Sequence, residues 1–263
     1  MENFTHIYLV NLGAAAGLMV CGWIYSLIRK NVTIADSLWG LGFVLIAWLT
    51  FFRVDGVPAR KLLLAIMVTL WGLRLFIHLS TRNRGKEEDP RYAKWRQQHG
   101  QHFWIISLFK VFLVQALFQW VIALGVQHGQ AATQPPHLTW LDFLGISIWL
   151  AGMIIETTAD VQLKTFLADP ANRGKIMDKG LWRYSRHPNY FGESLIWWGI
   201  FVMVLATPWG FWSVISPALI TYTLLRLTGV TLMEETQFAG NPAYRDYIRK
   251  TSAFIPWFPR RDA

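Results

Sequence analysis

HIYLVNLGAAAGLMVCGWIYSLI, residues 6–28, is an almost unbroken apolar run closed by Arg29 and Lys30. Crossing a bilayer core as a helix takes roughly 20 predominantly apolar residues, so this stretch reads as a membrane span. It lacks a basic leader segment and is too long for the apolar heart of a signal peptide. Further runs follow at about Val32 to Phe52, Leu62 to Ser80, Phe103 to Val126, Leu138 to Phe166, Tyr190 to Ala206 and Phe211 to Met233. The last two are separated by ThrProTrpGly, whose Pro208 and Gly210 demand a tight reversal. The expectation is an all-α polytopic membrane protein of about seven transmembrane helices, with no internal repeat and no low-complexity segment.

Composition agrees. Of 263 residues, 53% are hydrophobic and only 16% charged, against about a quarter charged in soluble domains. Fifteen Trp, 17 Phe and 8 Tyr suit interfacial aromatic belts. The net charge of +9 is gathered in a few loops, which points to anionic headgroups or an anionic cofactor and away from a nucleic-acid partner. Cys21 is the single cysteine, so no disulfide frame or cysteine-based zinc site is available.

Three basic segments set the expected orientation: Arg82 to Arg96, Lys164 to Arg186, and the tail from Arg245 to Arg261. The positive-inside rule puts them in the cytosol, with an outside N-terminus and a cytosolic C-terminus. Arg53, Arg60 and Lys61 dissent, because seven spans place them outside.

Ionisable groups inside spans are costly and are functional candidates by default. Asp36 lies one turn into the second run, where it serves either the helix dipole or chemistry. Arg74 either snorkels to the interface or meets a phosphate. Glu156, Asp160 and Lys164 are spaced by four and share one helical face, either as an intrahelical ion pair or as the wall of a polar cavity. The densest constellation is GLWRYSRHPNYFGE, residues 180–193. Pro188 suits a first helical turn, which gathers Arg186, His187, Asn189 and Glu193 around a helix N-terminus, a natural anion site. Glu234 and Glu235 close the last run, where acids oppose the helix dipole, so pairing with Arg186 or with ligand hydroxyls accounts for them better. There is no GlyXGlyXXGly fingerprint and no phosphate loop, which argues against a Rossmann or P-loop site. His99 and His102 form the one close histidine pair, and that is too little for an iron or zinc centre.

The motif at 180–193, the IleTrpTrpGly after it and the GluGlu…Tyr…Tyr…PheIlePro tail resemble the C-terminal domain of the steroid 5-alpha-reductase superfamily. The likeness to its bacterial branch extends over nearly the whole chain, through AspSerLeuTrpGly at 36–40, Arg74 and GluAspProArgTyr at 88–92. The resemblance implies a bacterial inner-membrane enzyme of one integral membrane domain. Helices over residues 1–138 would serve the substrate, and residues 139–263 would hold the cofactor on the cytoplasmic side. It also implies an NADPH-dependent reductase that saturates an alkene conjugated to a carbonyl in a lipid or steroid-like small molecule. The carried-over cofactor residues are Arg74, Asn83, Arg84, Glu156 (an Asn in steroid reductases), Asp160, Lys175, Asn189 and Glu193. Lys164, Arg186, His187, Tyr190 and Glu235 complete the expected set. Arg74, Arg84, Lys164 and Lys175 are candidates for the 2′-phosphate. Asp36 and Glu193 are the catalytic candidates. The Glu and Tyr that grip the substrate ketone in steroid reductases have no clear counterparts; Asp36 is a positional one. The His and Tyr after the last span are replaced around Glu234 and Glu235. ArgHisProXTyrXGly is also similar to isoprenylcysteine carboxyl methyltransferases, which bind S-adenosylmethionine, although the Asn189–Glu193 combination favours the reductases. A non-catalytic lipid-binding protein on the same frame is the third alternative, and the oligomeric state is left open.

Overall fold

The computed structural model describes residues 4–227 and 242–260. Among these residues the chain is helical, without β-strands; Ser185 and Ser252 form an isolated parallel bridge. Among the described residues five helical stretches are long and apolar enough to cross a membrane: Phe4–Arg29, Ile34–Arg53, Pro58–Asn83, Pro90–Ala131 and Trp140–Ala168. The expected sixth run forms a helix over Pro188–Val204, 17 residues long. The expected seventh is described only to residue 227, and Glu234 and Glu235 lie outside the described residues.

The chain divides into two compact units, Met1–Thr139 with Val204–Ile215, and Trp140–Met203 with Ser216–Ala263. In the first, α1 (Phe4–Arg29), α2 (Ile34–Arg53) and α3 (Pro58–Asn83) pack in sequence order. Then come α4 (Pro90–His99), α5 (Phe103–Ser107), a wide helical turn over Leu108–Leu113, α6 (Val114–Ile122) and α7 (Leu124–Ala131). The sequence predicts a polar loop from Thr81 to Gln101. The structure instead winds most of its second half into α4, because Asp89 caps the Arg91 amide and Pro90 takes the first helical position.

Apolar packing is supplemented by buried amides. Asn11 Nδ2 donates to Thr50 Oγ1 at 2.8 Å and to Gln127 Oε1 at 2.7 Å, joining α1, α2 and α7. Such bonds hold helices together where lipid removes the hydrophobic drive. The dissenting basic residues are also consumed locally. Arg60 is fully buried and donates to the carbonyls of Pro135 and His137. Lys61 donates to Val54 O at 2.7 Å and lies over the Phe51 ring.

The second unit is built on α8 (Trp140–Ala168) and α9 (Pro188–Val204), with α10 (Ile215–Tyr222) and α11 (Pro242–Lys250). Glycines let α8 and α9 run backbone to backbone. A Cβ on Gly145 would stand 2.5 Å from Gly199 O, and one on Gly152 would stand 2.7 Å from Gly192 O. This contact fixes the antiparallel register that brings the start of α9 against the last turns of α8. The ThrProTrpGly reversal forms as expected, closed by Thr207 N to Val204 O and Gly210 N to Thr207 O.

Candidate functional site

In the second unit, the 180–193 motif is fastened from both sides. Gly180 has φ of +59°, and a Cβ there would strike the Gln162 amide. That amide accepts from Leu181 N at 3.0 Å, while the Trp182 indole donates to Ala159 O at 3.1 Å. These bonds pin the motif to α8. Beyond it the tail takes over: Arg186 N donates to Ser252 O, and Ser185 Oγ donates to Phe254 O and accepts from His187 N. The Tyr247 hydroxyl donates to Trp182 O. Arg186 is buried, and its Nη1 donates to the carbonyls of Thr251 (2.6 Å) and Ile248 (3.1 Å). Its guanidinium therefore holds the end of α11, the cationic cap that a helix C-terminus favours.

Pro188 opens α9 as expected. His187 is buried, with its ring stacked on Tyr190 at 5.4 Å. Asn189 Nδ2 donates to Asp160 Oδ1 at 3.2 Å, and its buried Oδ1 has no hydrogen-bond partner among the described residues. A buried amide oxygen left open costs about 1–3 kcal/mol unless something donates to it. Gly192 lies against the backbone of Glu156, and Glu156, Asp160 and Glu193 are all buried, at 2%, 7% and 7% exposure. The contact between α8 and α9 thus brings Asp160 to Asn189 and Glu156 to Gly192, with Glu193 buried on the next position of α9. Among the described residues no group of acids and imidazoles is gathered as a metal site. Lys164 and Lys175 are exposed.

The first unit holds the other predicted residues. Arg74 is half-buried in α3; Asn83, its last residue, is half-buried; and Arg84 is exposed just after it. Asp36 accepts from Arg91 Nη2 at 2.8 Å, from the Tyr92 hydroxyl at 2.6 Å and from Gln115 Nε2 at 3.4 Å. Asp89 takes Arg91 Nε at 2.8 Å, and its backbone N–H donates to Thr33 Oγ1. Glu88 accepts from both Nε and Nη2 of Arg96 and from Val32 N. Burial raises the Asp89 pKa, but its hydrogen bonds to Arg91 and the charges of Arg91 and Arg82 outweigh that and hold it below the ordinary value. This web ties the start of α2 to the start of α4. The sequence reading did not single out Tyr92, which is 6% exposed. The AspPro start signal places it in a first helical turn, but nothing local reveals its partner 56 residues away.

The profile of a family described as a protein of unknown function, DUF1295, matches residues 22–251. The chain belongs to this family. An uncharacterized protein of Schizosaccharomyces pombe is 27% identical across 89% of this chain and 75% of its own length. The 3-oxo-5-alpha-steroid 4-dehydrogenase 1 of Macaca fascicularis is 38% identical over 87 residues, 33% of this chain and 30% of that enzyme. Its Rattus norvegicus counterpart is 31% identical over 126 residues, 48% and 43% of the two chains. The DUF1295 chain spans less than half the length of these dehydrogenases. The matches bear out the resemblance to the steroid 5-alpha-reductase superfamily. No solved structure matches.

Proposed function

We propose that this DUF1295 protein is a membrane reductase that uses NADPH to saturate a C=C bond conjugated to a carbonyl in a lipid or steroid-like molecule. The observation that carries the reading is the α8–α9 cluster: Asp160 bonded to Asn189, the open Asn189 Oδ1, and buried Glu156 and Glu193. Such a set suits the donors of a dinucleotide, its ribose hydroxyls and carboxamide N–H groups. Buried acids repel phosphate, so the phosphates fall to exposed cations, for which Lys164 and Lys175 are suited. NADPH, when bound, supplies the hydride. Arg186 acts as a positioning residue, because its bonds fix the loop that starts α9. The protein's part is to orient the cofactor and exclude water.

Within the first unit, Asp36 accepts from Arg91, from Gln115 and from the Tyr92 hydroxyl, whose single proton is spent on it, so this cluster is assigned to the frame.

We further propose seven spans with an outside N-terminus. The local use of Arg60 and Lys61 supports it, since charges held by carbonyls and an aromatic face weigh less against that orientation.

One observation favours a second reading. Three buried acids also suit the sulfonium and ammonium of S-adenosylmethionine, the cofactor of the methyltransferase alternative. Mass spectrometry of ligand copurified from the full chain separates the two. NADP(H) supports the reductase, the methyl donor supports the transferase, and lipid alone supports a non-catalytic binder.

A further inference from the structure

The C-terminal segment is stitched to the start of α9 yet presents its largest apolar side chains outward. Arg186 N donates to Ser252 O at 2.8 Å, Trp257 N to Tyr184 O at 2.9 Å, and Arg260 N to Lys250 O at 3.0 Å. These bonds fix the backbone from 252 to 260 as a strap. From it Ile255, Trp257 and Phe258 project with 63%, 71% and 79% exposure. Phe258 meets the Tyr184 ring edge-on at 6.2 Å. Among the described residues the exposed charges on the adjoining sequence are Arg183, Arg245, Arg249, Lys250 and Arg260, and Asp246 pairs with Arg249 and Lys250. The patch is therefore aromatic at its centre and cationic at its rim.

Its height in the fold is decided by α9. The strap is bound to residues 184–186, immediately before the apolar helix that begins at Pro188. With α9 taken as the sixth span expected from the sequence, side chains leaving the strap stand at the depth of lipid headgroups. Tryptophan and tyrosine favour that depth, and lysine and arginine there attract anionic lipid.

We infer that the strap over residues 252–260 is an interfacial anchor that seats Trp257 and Phe258 among anionic phospholipid headgroups and so holds the 180–193 motif at the bilayer surface. The occupant is the headgroup layer of the protein's own membrane, chosen by the pairing of exposed aromatics with a cationic rim. The inference does not depend on which cofactor the protein takes.

The test is spin-label accessibility in the full chain, reconstituted in vesicles of phosphatidylcholine with and without phosphatidylglycerol. Cys21→Ser supplies a cysteine-free background. Trp257→Cys and, separately, Phe258→Cys carry the label, and Lys86→Cys in an exposed loop is the water reference. The expected result is a several-fold higher ratio of oxygen to nickel-chelate accessibility at 257 and 258 than at 86. It should rise with phosphatidylglycerol, and the rise should be lost in Lys250→Gln/Arg260→Gln. Ratios at both sites equal to that of residue 86 would overturn the anchor and leave the face to water or a soluble partner. Label–label broadening that disappears on dilution with unlabelled protein would assign the face to a second copy and overturn it too. Indifference to phosphatidylglycerol would overturn the choice of anionic lipid.

Discussion

In the N-terminal unit Asp36 and Asp89 share Arg91, and Glu88 is gripped by Arg96 through two nitrogens. In the C-terminal unit Asp160 is met by the amide of Asn189, whose own carbonyl oxygen ends buried and without a hydrogen-bond partner among the described residues. In the first cluster the carboxylates face guanidinium and phenol donors across α2 and α4, and Gln115 Oε1 is buried with no hydrogen-bond partner among the described residues. The difference teaches that acid content alone does not mark a site. What separates the two clusters is the donor set: guanidinium and phenol groups on the acids of the first, a side-chain amide on Asp160 in the second.

Mutations should separate the two clusters, and the largest effect belongs to the second. Asn189→Ala and Glu193→Ala should each weaken NADPH binding by about tenfold or more, at least ~1.4 kcal/mol, while the detergent-solubilised protein keeps its helical circular dichroism. Unchanged affinity in both would make the cluster structural. In the first cluster the loss should fall on stability. Arg91→Ala strips Asp36 and Asp89 of their shared cation and should cost about 1–3 kcal/mol, reduced from the fully buried case because Arg91 is 31% exposed. A lowered thermal midpoint with NADPH affinity retained would bear this out; loss of affinity without loss of stability would reverse the assignment.

The charge web also predicts a pH response. Asp89 has a folded-state pKa below its unfolded value, so its stabilising contribution is complete above the ordinary carboxylate range. It is lost as pH falls through the folded pKa, below about pH 4. Asp89→Asn should flatten the acid limb of stability measured from pH 6 to pH 3 (about the span of carboxylate titration). An unaltered limb would show that other carboxylates govern it. The smallest effect belongs to the exposed lysines. Lys164→Ala and Lys175→Ala should each reduce the preference for NADPH over NADH by a few-fold, about 0.5–1 kcal/mol, read from paired titrations. No change in the ratio would move the 2′-phosphate elsewhere.

Much of the frame was legible in the sequence because bilayer spanning is a matter of length and apolarity. The runs at residues 6–28, 32–52 and 62–80 correspond to α1, α2 and α3. The start of α9 at Pro188 was fixed by the proline's geometry. What the sequence could not show was partnership. Asp36 reads as a lone intramembrane acid until Arg91 and Tyr92 arrive from α4. Arg186 reads as an anion ligand from its place before a helix, and its Nη1 contacts to the carbonyls of Ile248 and Thr251 come from the distant tail. Arg60 reads as a surface loop charge, and the structure buries it fully against the carbonyls of Pro135 and His137. In each case the deciding contact is more than 50 residues away, beyond the reach of helical periodicity. Glu156, Asp160 and Asn189 were easier. Spacing by four put the two acids on one face, and the proline placed Asn189 within the first turn of α9.

The most direct measurement is calorimetry of the purified full chain against NADPH and S-adenosylmethionine, with Asn189→Ala in parallel. Binding of NADPH, weakened by the substitution, with no heat from the methyl donor is the result this account predicts. Binding of S-adenosylmethionine with NADPH ignored would contradict it.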